Sequence, residues 1–276
     1  MASDSLEFEY LRNLVYQHTA IVLEPAQSYL VDSRLGDIAR HNGFPSPVHL
    51  LTQLRQQPFQ TLHRKVIEAM TTNETTFFRD ITPFEALRKA VLPNLIEQRA
   101  NERRLNIWCA ACSTGQEPYS FAIMLQENFQ DIVNKWPIRI IASDVAREVL
   151  DRARSGLYTQ LEVNRGLPVQ LLVKYFRQQG REWQLSDSIR KMVEFREVNL
   201  AQPWAPLPSM DIIMVRNVLI YFNVETKREI LRKMREVLRP GGYLFLGTAE
   251  TTLNLDGKFV QVHSDRTTYF QVSPKG

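Results

Sequence analysis

The sequence predicts an α/β protein: a parallel β-sheet covered by helices, with a helical domain ahead of it and a small β insertion within it. Three observations carry this. From residue 105 onward, short apolar runs alternate with amphipathic stretches of helix length, the pattern of a parallel sheet layered with helices. Residues 1–72 carry only helical periodicity. The stretch at about 175–193, with Gly180, Trp183, Leu185 and Ile189, breaks the alternation and reads as a small β excursion. The expected domains are 1–72, helical; 73–104, a linker with a connecting helix; and 105–276, the sheet domain with its insertion.

In the helical domain, Leu6, Tyr10, Leu14 and Val15 recur at helix spacing, as do Leu30, Leu35, Ile38 and Ala39, and then Leu50, Leu51 and Leu54. Glu24-Pro25, Asn42-Gly43, Pro45, Pro47 and Pro58 separate them. A helix is expected over 83–99, with Phe84, Leu87, Val91, Leu95 and Ile96 on one side. The first strand, 105–110, is followed by a polar loop of small residues and a helix with Pro118 in its first turn. A second strand, 138–142, ends at Ser143-Asp144, and a helix follows over 147–155. Further strands are expected at 192–195, 211–215 and 243–247. An amphipathic helix at 225–238, closed by Pro240-Gly241-Gly242, lies between the last two. Residues 259–262 and 267–272 read as an antiparallel hairpin added to the sheet.

Composition narrows the function. A chain of 276 residues, 44% hydrophobic and 23% charged, is an ordinary globular one. It has no run of about 18 apolar residues and so no expected membrane span. Its acidic N-terminus (Asp4, Glu7, Glu9) is neither a signal nor a transit peptide. Cys109 and Cys112 lie too close together to serve as a disulfide framework, and no His cluster joins them to make a zinc site. These features point to a cytoplasmic protein of enzyme size. The net charge of +4 is spread along the chain, although 28–66 holds five Lys/Arg against two Asp/Glu. With no basic block interleaved with aromatics, the charge suits an acidic partner better than nucleic acid.

Four clusters are candidates for chemistry. The first is W-C-A-A-C-S-T-G-Q-E-P-Y at 108–119. Ligands of open α/β sheets bind beyond the carboxyl ends of the strands. Ala110, Ala111, Ser113 and Gly115 let a cofactor approach the backbone, and the following helix offers free N–H groups. Without G-x-G-x-x-G, a dinucleotide pyrophosphate fits poorly. A ligand with a carboxylate and an amine fits better, with Glu117 for the amine; a bare strand-to-helix turn is the alternative. The C-x-x-C invites a redox reading, but a reactive cysteine belongs at the helix N-terminus, and here the helix starts only near Glu117. The second candidate is Asp144, placed either to accept both hydroxyls of a ribose or to cap the helix after it. Together these two favour a cofactor that carries a nucleoside.

The third cluster, N-E-T-T-F-F-R at 73–79, is either a lid that aims Arg79 at an anion or a capped turn with two Phe in the core. The fourth is Asp211 to Phe222. Its buried strand ends in Arg216-Asn217, polar groups that need partners there. Asn217 is a candidate to read an adenine edge or hold substrate, and Tyr221 shares its face if Asn217 opens a helix.

As a set these residues resemble the CheR methyltransferases, a family that methylates chemotaxis receptors. The matching motifs are N-E-T-T-F-F-R at 73–79, A-A-C-S-T-G-Q-E-P-Y-S at 110–120, A-S-D at 142–144, N-L at 199–200 and R-N-V-L-I-Y-F at 216–222. The likeness runs from about Tyr10 to Phe270, and it departs at Cys109 and Cys112, where relatives often carry Ser or Ala of similar size. It implies a Rossmann-like sheet that binds S-adenosylmethionine and releases S-adenosylhomocysteine. By position, the cofactor contacts it implies are Asn73, Thr75, Arg79, Glu117, Asp144, Asn199, Leu200, Arg216 and Asn217. Asn199 and Leu200 come from the resemblance alone. It also implies that Arg79 and Tyr221 position a receptor glutamate, and that Arg34 and Arg40 face the receptor's acidic methylation helix.

Family members that first dock on a receptor's C-terminal pentapeptide carry a longer, glycine-rich loop in the β insertion. Here 177–183 is short, with Gly180 as its one glycine, so the expectation is no pentapeptide tethering. The protein is further expected to be a monomer, without metal, membrane insertion or nucleic-acid partner. Two rivals are a methyltransferase acting on RNA or a small molecule, and a non-catalytic cofactor-binding regulator. The missing basic-aromatic patch opposes RNA, and intact Arg79, Asn217 and Tyr221 oppose a decayed site.

Overall fold

The computed structural model describes residues 2–264 and 267–273. The chain forms two compact units: Met1–Thr72 with Tyr221–Thr226, and Asn73–Ile220 with Lys227–Gly276.

The first unit contains α1 (Ala2–Thr19), α2 (Leu30–His41), α3 (Pro47–Arg55) and α4 (Thr61–Met70). Residues spaced three and four apart, such as Leu11 and Val15, Leu35 and Ala39, and Leu51 and Leu54, put one face of each helix into a shared core with Val66 and Met70. Ser46 caps α3 by accepting the His49 N–H, and Pro47 occupies the first turn, where its missing N–H costs nothing. The segment from Tyr221 joins this unit through Val22 N–H donating to the Tyr221 carbonyl (2.9 Å) and an antiparallel bridge between Ile21 and Phe222.

The second unit begins with α5 (Thr82–Ala86), a π-helical stretch (Leu87–Val91) and α6 (Leu92–Gln98). The periodicity predicts one α-helix here, but Pro93 has no N–H and its ring crowds a carbonyl one turn back. The widened turn directly before it lets the helix continue. The remaining elements are β1 (Leu105–Ala110), α7 (Gln116–Asn128), α8 (Gln130–Lys135), β2 (Ile138–Asp144), α9 (Arg147–Ser155), β3 (Leu157–Thr159), α10 (Gln160–Asn164), α11 (Val169–Tyr175), β4 (Phe176–Gln179), β5 (Glu182–Leu185), α12 (Asp187–Arg190), β6 (Val193–Glu197), β7 (Met210–Val215), α13 (Val224–Val237), β8 (Leu238–Leu246), β9 (Phe259–Ser264) and β10 (Thr267–Val272).

The main sheet has the order β6-β2-β1-β7-β8-β10-β9. The first five strands are parallel, and β10 runs antiparallel to both β8 and β9. Every residue of β7 is buried, as expected of a strand covered on both faces. Pro240-Gly241-Gly242 does more than close α13. Leu238 pairs with Met210 and pairing resumes at Tyr243 with Ile212, so the residues between bulge out, with Gly241 at φ 73°.

A second, antiparallel sheet has the order β3-β5-β4. The composition of 175–193 shows β4 and β5. It misses β3, three residues that follow α9 after Gly156 and pair with Glu182–Gln184. This small sheet is rooted in the main core by edge-on contacts of Phe77 with Tyr158 (5.0 Å) and Phe176 (5.6 Å). Among the described residues, no helix is long and apolar enough to cross a membrane.

Candidate active site

Strand order reverses at β1, which lies between β2 and β7. That reversal opens a crevice beyond the carboxyl ends of the strands, and the loops after β1, β2, β6 and β7 carry the residues picked out in the sequence.

The loop after β1 turns through left-handed residues: Ala111 (φ 54°), Ser113 (φ 51°) and Gly115 (φ 92°). Such backbone costs a non-glycine residue about 1–2 kcal/mol, so outside contacts must hold it. The Cys112 N–H donates to Ser143 O (2.8 Å), Ser113 N–H to Asp144 Oδ2 (2.8 Å), Ser113 Oγ to Asn73 O (2.8 Å) and Tyr158 Oη to Thr114 O (2.8 Å). Gly115 is also required by packing. A Cβ there would meet Ala153 Cβ at 3.0 Å, and Tyr119 and Tyr158 each at 3.2 Å. The missing side chain therefore makes room for buried packing.

Asp144 is buried at the end of β2. Its Oδ1 accepts the Ala146 N–H (3.1 Å) while Oδ2 accepts Ser113, so the carboxylate steadies both the turn ahead of α9 and the β1 loop, whereas the N-cap of α9 is Ala146 and carries no side-chain cap. Cys109 and Cys112 are buried free thiols, and burial pushes both pKa values well up. Their environment is the opposite of a reactive cysteine's.

Arg216, directly after β7, has a side chain 2% exposed. Its Nη1 donates to Glu117 Oε2 (2.9 Å), and its Nη2 to Asp80 Oδ2 and Arg79 O (2.8 Å each). One guanidinium thus ties the 73–80 segment, the start of α7 and the end of β7 together. Burial raises the Glu117 carboxyl above its ordinary pKa, against the downward pull of Arg216. Phe77 is fully buried, and Phe78 N–H donates to Ser120 Oγ (2.9 Å), so 73–80 is anchored in the core rather than hinged as a lid. Arg79 is half-buried, with Nη1 on Glu74 O (3.0 Å).

Asn217 adopts φ 57°, which breaks the chain direction after Arg216. The expectation that it opens a helix with Tyr221 on the same face is therefore corrected: a short 3-10 turn, Leu219–Tyr221, follows instead. Tyr221 belongs to the first compact unit, Asn217 to the second. Asn217 and Gly247 N–H both donate to Glu250 Oε2 (2.8 and 2.7 Å), while Val218 N–H donates to Oε1 (2.8 Å). Sequence reasoning does not find Glu250, because T-A-E-T-T carries no periodic or motif signal.

After β6, Leu200 is buried, and its carbonyl accepts Lys233 Nζ (2.7 Å) and Trp204 Nε1 (3.3 Å). Lys233 also lies over the Trp204 ring, 4.5 Å from its centroid, and Asn199 Oδ1 caps the Ala201 N–H (3.0 Å). Arg34 lies in the first unit, where its guanidinium donates to Met70 O (2.7 Å), Thr71 O (3.0 Å) and Thr72 Oγ1 (3.1 Å), closing the end of α4. Arg40 is exposed and paired with Asp37.

Two buried polar atoms of this region, Asn217 Oδ1 and Arg216 Nε, have no partner among the described residues. Such groups are costly unless a ligand or solvent satisfies them. A cleft of about 290 Å³ is lined by Arg216, Gly247, Glu250 and a group of threonines, but not by Asn217, Glu117 or Asp144. An unmet acceptor on Asn217, a carboxylate at the end of β2 and a Glu117–Arg216 pair at the start of α7 suit S-adenosylmethionine, which carries an adenosine and a zwitterionic amino-acid end.

Comparison with known proteins agrees. Residues 73–268 match the model of the CheR methyltransferase, SAM binding domain, and residues 6–71 that of the CheR methyltransferase, all-alpha domain. The chain is 40% identical over 265 residues to chemotaxis protein methyltransferase 1 of Pseudomonas aeruginosa, covering 95% of this chain and 96% of the relative. It is 38% identical, with the same coverage, to chemotaxis protein methyltransferase Cher2 of Pseudomonas putida. A chemotaxis protein methyltransferase of Vibrio anguillarum is 37% identical over 258 residues, 93% of each chain. The chain therefore belongs to the CheR family of S-adenosylmethionine-dependent methyltransferases.

Proposed function

We propose that this protein transfers the methyl group of S-adenosylmethionine to glutamate side chains of chemotaxis receptors, forming methyl esters used in sensory adaptation. The observation that carries the reading is the buried Arg216 network beside the unmet Asn217 Oδ1, in a chain matched along nearly all its length by the two family domains.

We assign the cofactor to Asn73, Thr75, Arg79, Glu117, Asp144, Asn199, Leu200, Arg216 and Asn217. The bound cofactor supplies a methyl group on a positively charged sulfur. Asp144 faces the ribose hydroxyls. Glu117 takes the amine through the oxygen that Arg216 does not use. The substrate carboxylate is already ionised at neutral pH, so the protein needs no general base. Methyl transfer from sulfur to that oxygen breaks the C–S bond, forms the C–O bond and cancels opposite charges. Strong polar stabilisation of the carboxylate would slow such a step. The protein helps by alignment and by excluding water, which can supply roughly 7–11 kcal/mol at best.

Arg79 and Tyr221 position the carboxylate. Arg79→Ala should abolish transfer of labelled methyl, as base-labile ester, to receptor-containing membranes; near-normal kcat at saturating substrate would remove Arg79 from that role. Docking on the acidic receptor helix is electrostatic and uses the helical unit. Arg40 is the exposed candidate on α2, whereas Arg34 is committed to the carbonyls after α4. The enzyme acts as a cytoplasmic monomer without pentapeptide tethering, because β4 and β5 are joined by Gly180 and Arg181 alone. Micromolar capture of a receptor tail peptide in a binding titration would overturn the last point.

A further inference from the structure

Glu250 is unusual in what it binds. Its two oxygens accept four backbone N–H groups: Asn217 (2.8 Å) and Gly247 (2.7 Å) on Oε2, and Val218 (2.8 Å) and Ile220 (3.3 Å) on Oε1. Three of the four belong to the turn directly after β7, and this turn contains Asn217 in left-handed backbone. Gly247 presses on the same point: a Cβ there would stand 2.7 Å from Asn217 N and 2.8 Å from Asn217 Nδ2. The side chain held this way presents the buried Oδ1 that meets no donor among the described residues. An ionised carboxylate is the one side chain that offers only acceptors to converging N–H groups. A glutamine would turn an NH₂ toward two of them.

We propose that Glu250 is a positioning residue for the cofactor site: by collecting the N–H groups of the turn after β7 it fixes Asn217 in the conformation that aims Oδ1 at the ligand. This rests on the cofactor role assigned to Asn217 above. In this role Glu250 acts on the ligand through the backbone of its neighbour.

The test is a double-mutant cycle in the full chain, read as calorimetric affinity for S-adenosylhomocysteine. Glu250→Gln should weaken binding by about tenfold or more, the scale of charge-assisted hydrogen bonds exchanged for a donor facing donors. In an Asn217→Ala background, the same change should cost less than about twofold, because the residue it positions is gone. A purely structural Glu250 would give independent, multiplying losses, and that result overturns the inference. So does weak binding in Asn217→Ala with wild-type affinity in Glu250→Gln. Wild-type affinity in Asn217→Ala would overturn the assignment of Asn217 itself and this inference with it. If Glu250→Gln does not fold, amide exchange of the wild-type protein decides: Asn217, Val218 and Gly247 should be protected like strand amides, and exchange at unprotected loop rates refutes the role.

Discussion

The loop after β1 and the loop after β7 leave the sheet side by side, and both pass through left-handed residues: Ala111, Ser113 and Gly115 in the first, Asn217 in the second. Their anchors differ. The β1 loop is held by many weak contacts from several elements, among them Asn73, Ser143, Asp144 and Tyr158. The turn of the β7 loop, from Asn217 to Ile220, gathers three backbone N–H groups on one carboxylate, Glu250. Arg216 joins the two, since it begins the second loop and grips Glu117 just beyond the first. Distributed anchoring tolerates the loss of one contact, whereas a single shared acceptor does not. Strained backbone at a site can thus be supported in two ways with different sensitivity to substitution.

The largest effect is expected at the joint. Arg216→Met removes the counter-charge of a nearly buried Glu117 and of Asp80, and should cost about 3–5 kcal/mol in urea unfolding. A loss below about 1 kcal/mol would mean that the pairs behave like surface ones and that the two loops are independent. Gly115→Ala comes next. It adds left-handed strain and crowds Tyr119, Tyr158 and Ala153, for a loss of about 2–4 kcal/mol. Unchanged stability would show that α7 can shift to admit the methyl.

Single anchors of the β1 loop should matter less. Ser113→Ala and Tyr158→Phe are each expected to cost about 1 kcal/mol and to leave S-adenosylhomocysteine affinity close to wild type, in contrast to Glu250→Gln. A tenfold affinity loss from either one would erase the distinction between the loops.

The smallest effect is on pH dependence. Because burial raises the Glu117 pKa above 4.5, the folded state holds that proton more tightly than the unfolded chain. The stability this contributes is complete below the unfolded value and is lost as pH rises through the folded one. Relative to Glu117→Gln, the wild-type protein should therefore lose stability as pH rises above the ordinary glutamate range. A gain with rising pH would mean that attraction to Arg216 outweighs burial.

Much of this architecture is legible in the amino-acid sequence. The apolar run of β7, the alternation of strands and helices from residue 105 and the hairpin at the end are local patterns, and each sits where its pattern predicts. The helix over 83–99 is legible as a helix but not as one interrupted by a π turn, because Pro93 and its remedy lie in backbone geometry. Within the site, Glu117, Asp144 and Arg216 stand out as polar groups at the ends of buried strands or the start of a helix. Asn199 and Leu200 do not, since what sets them apart is Lys233 and Trp204 closing on one carbonyl.

Hydrophobic period, turn residues and motif order thus determine by themselves the fold class, the helical and sheet regions, the family and most of the polar residues gathered around the crevice. Tertiary structure decides what each of those residues touches. It turns Arg34 inward onto the end of α4, makes Gly115 a packing requirement, gives Asp144 two backbone partners and places Glu250 beneath a turn that begins 33 positions earlier. The physical reason is range. Periodicity reflects which side of one element meets water, a property of neighbouring residues, whereas a hydrogen bond between two loops exists only after the strands that carry them have paired.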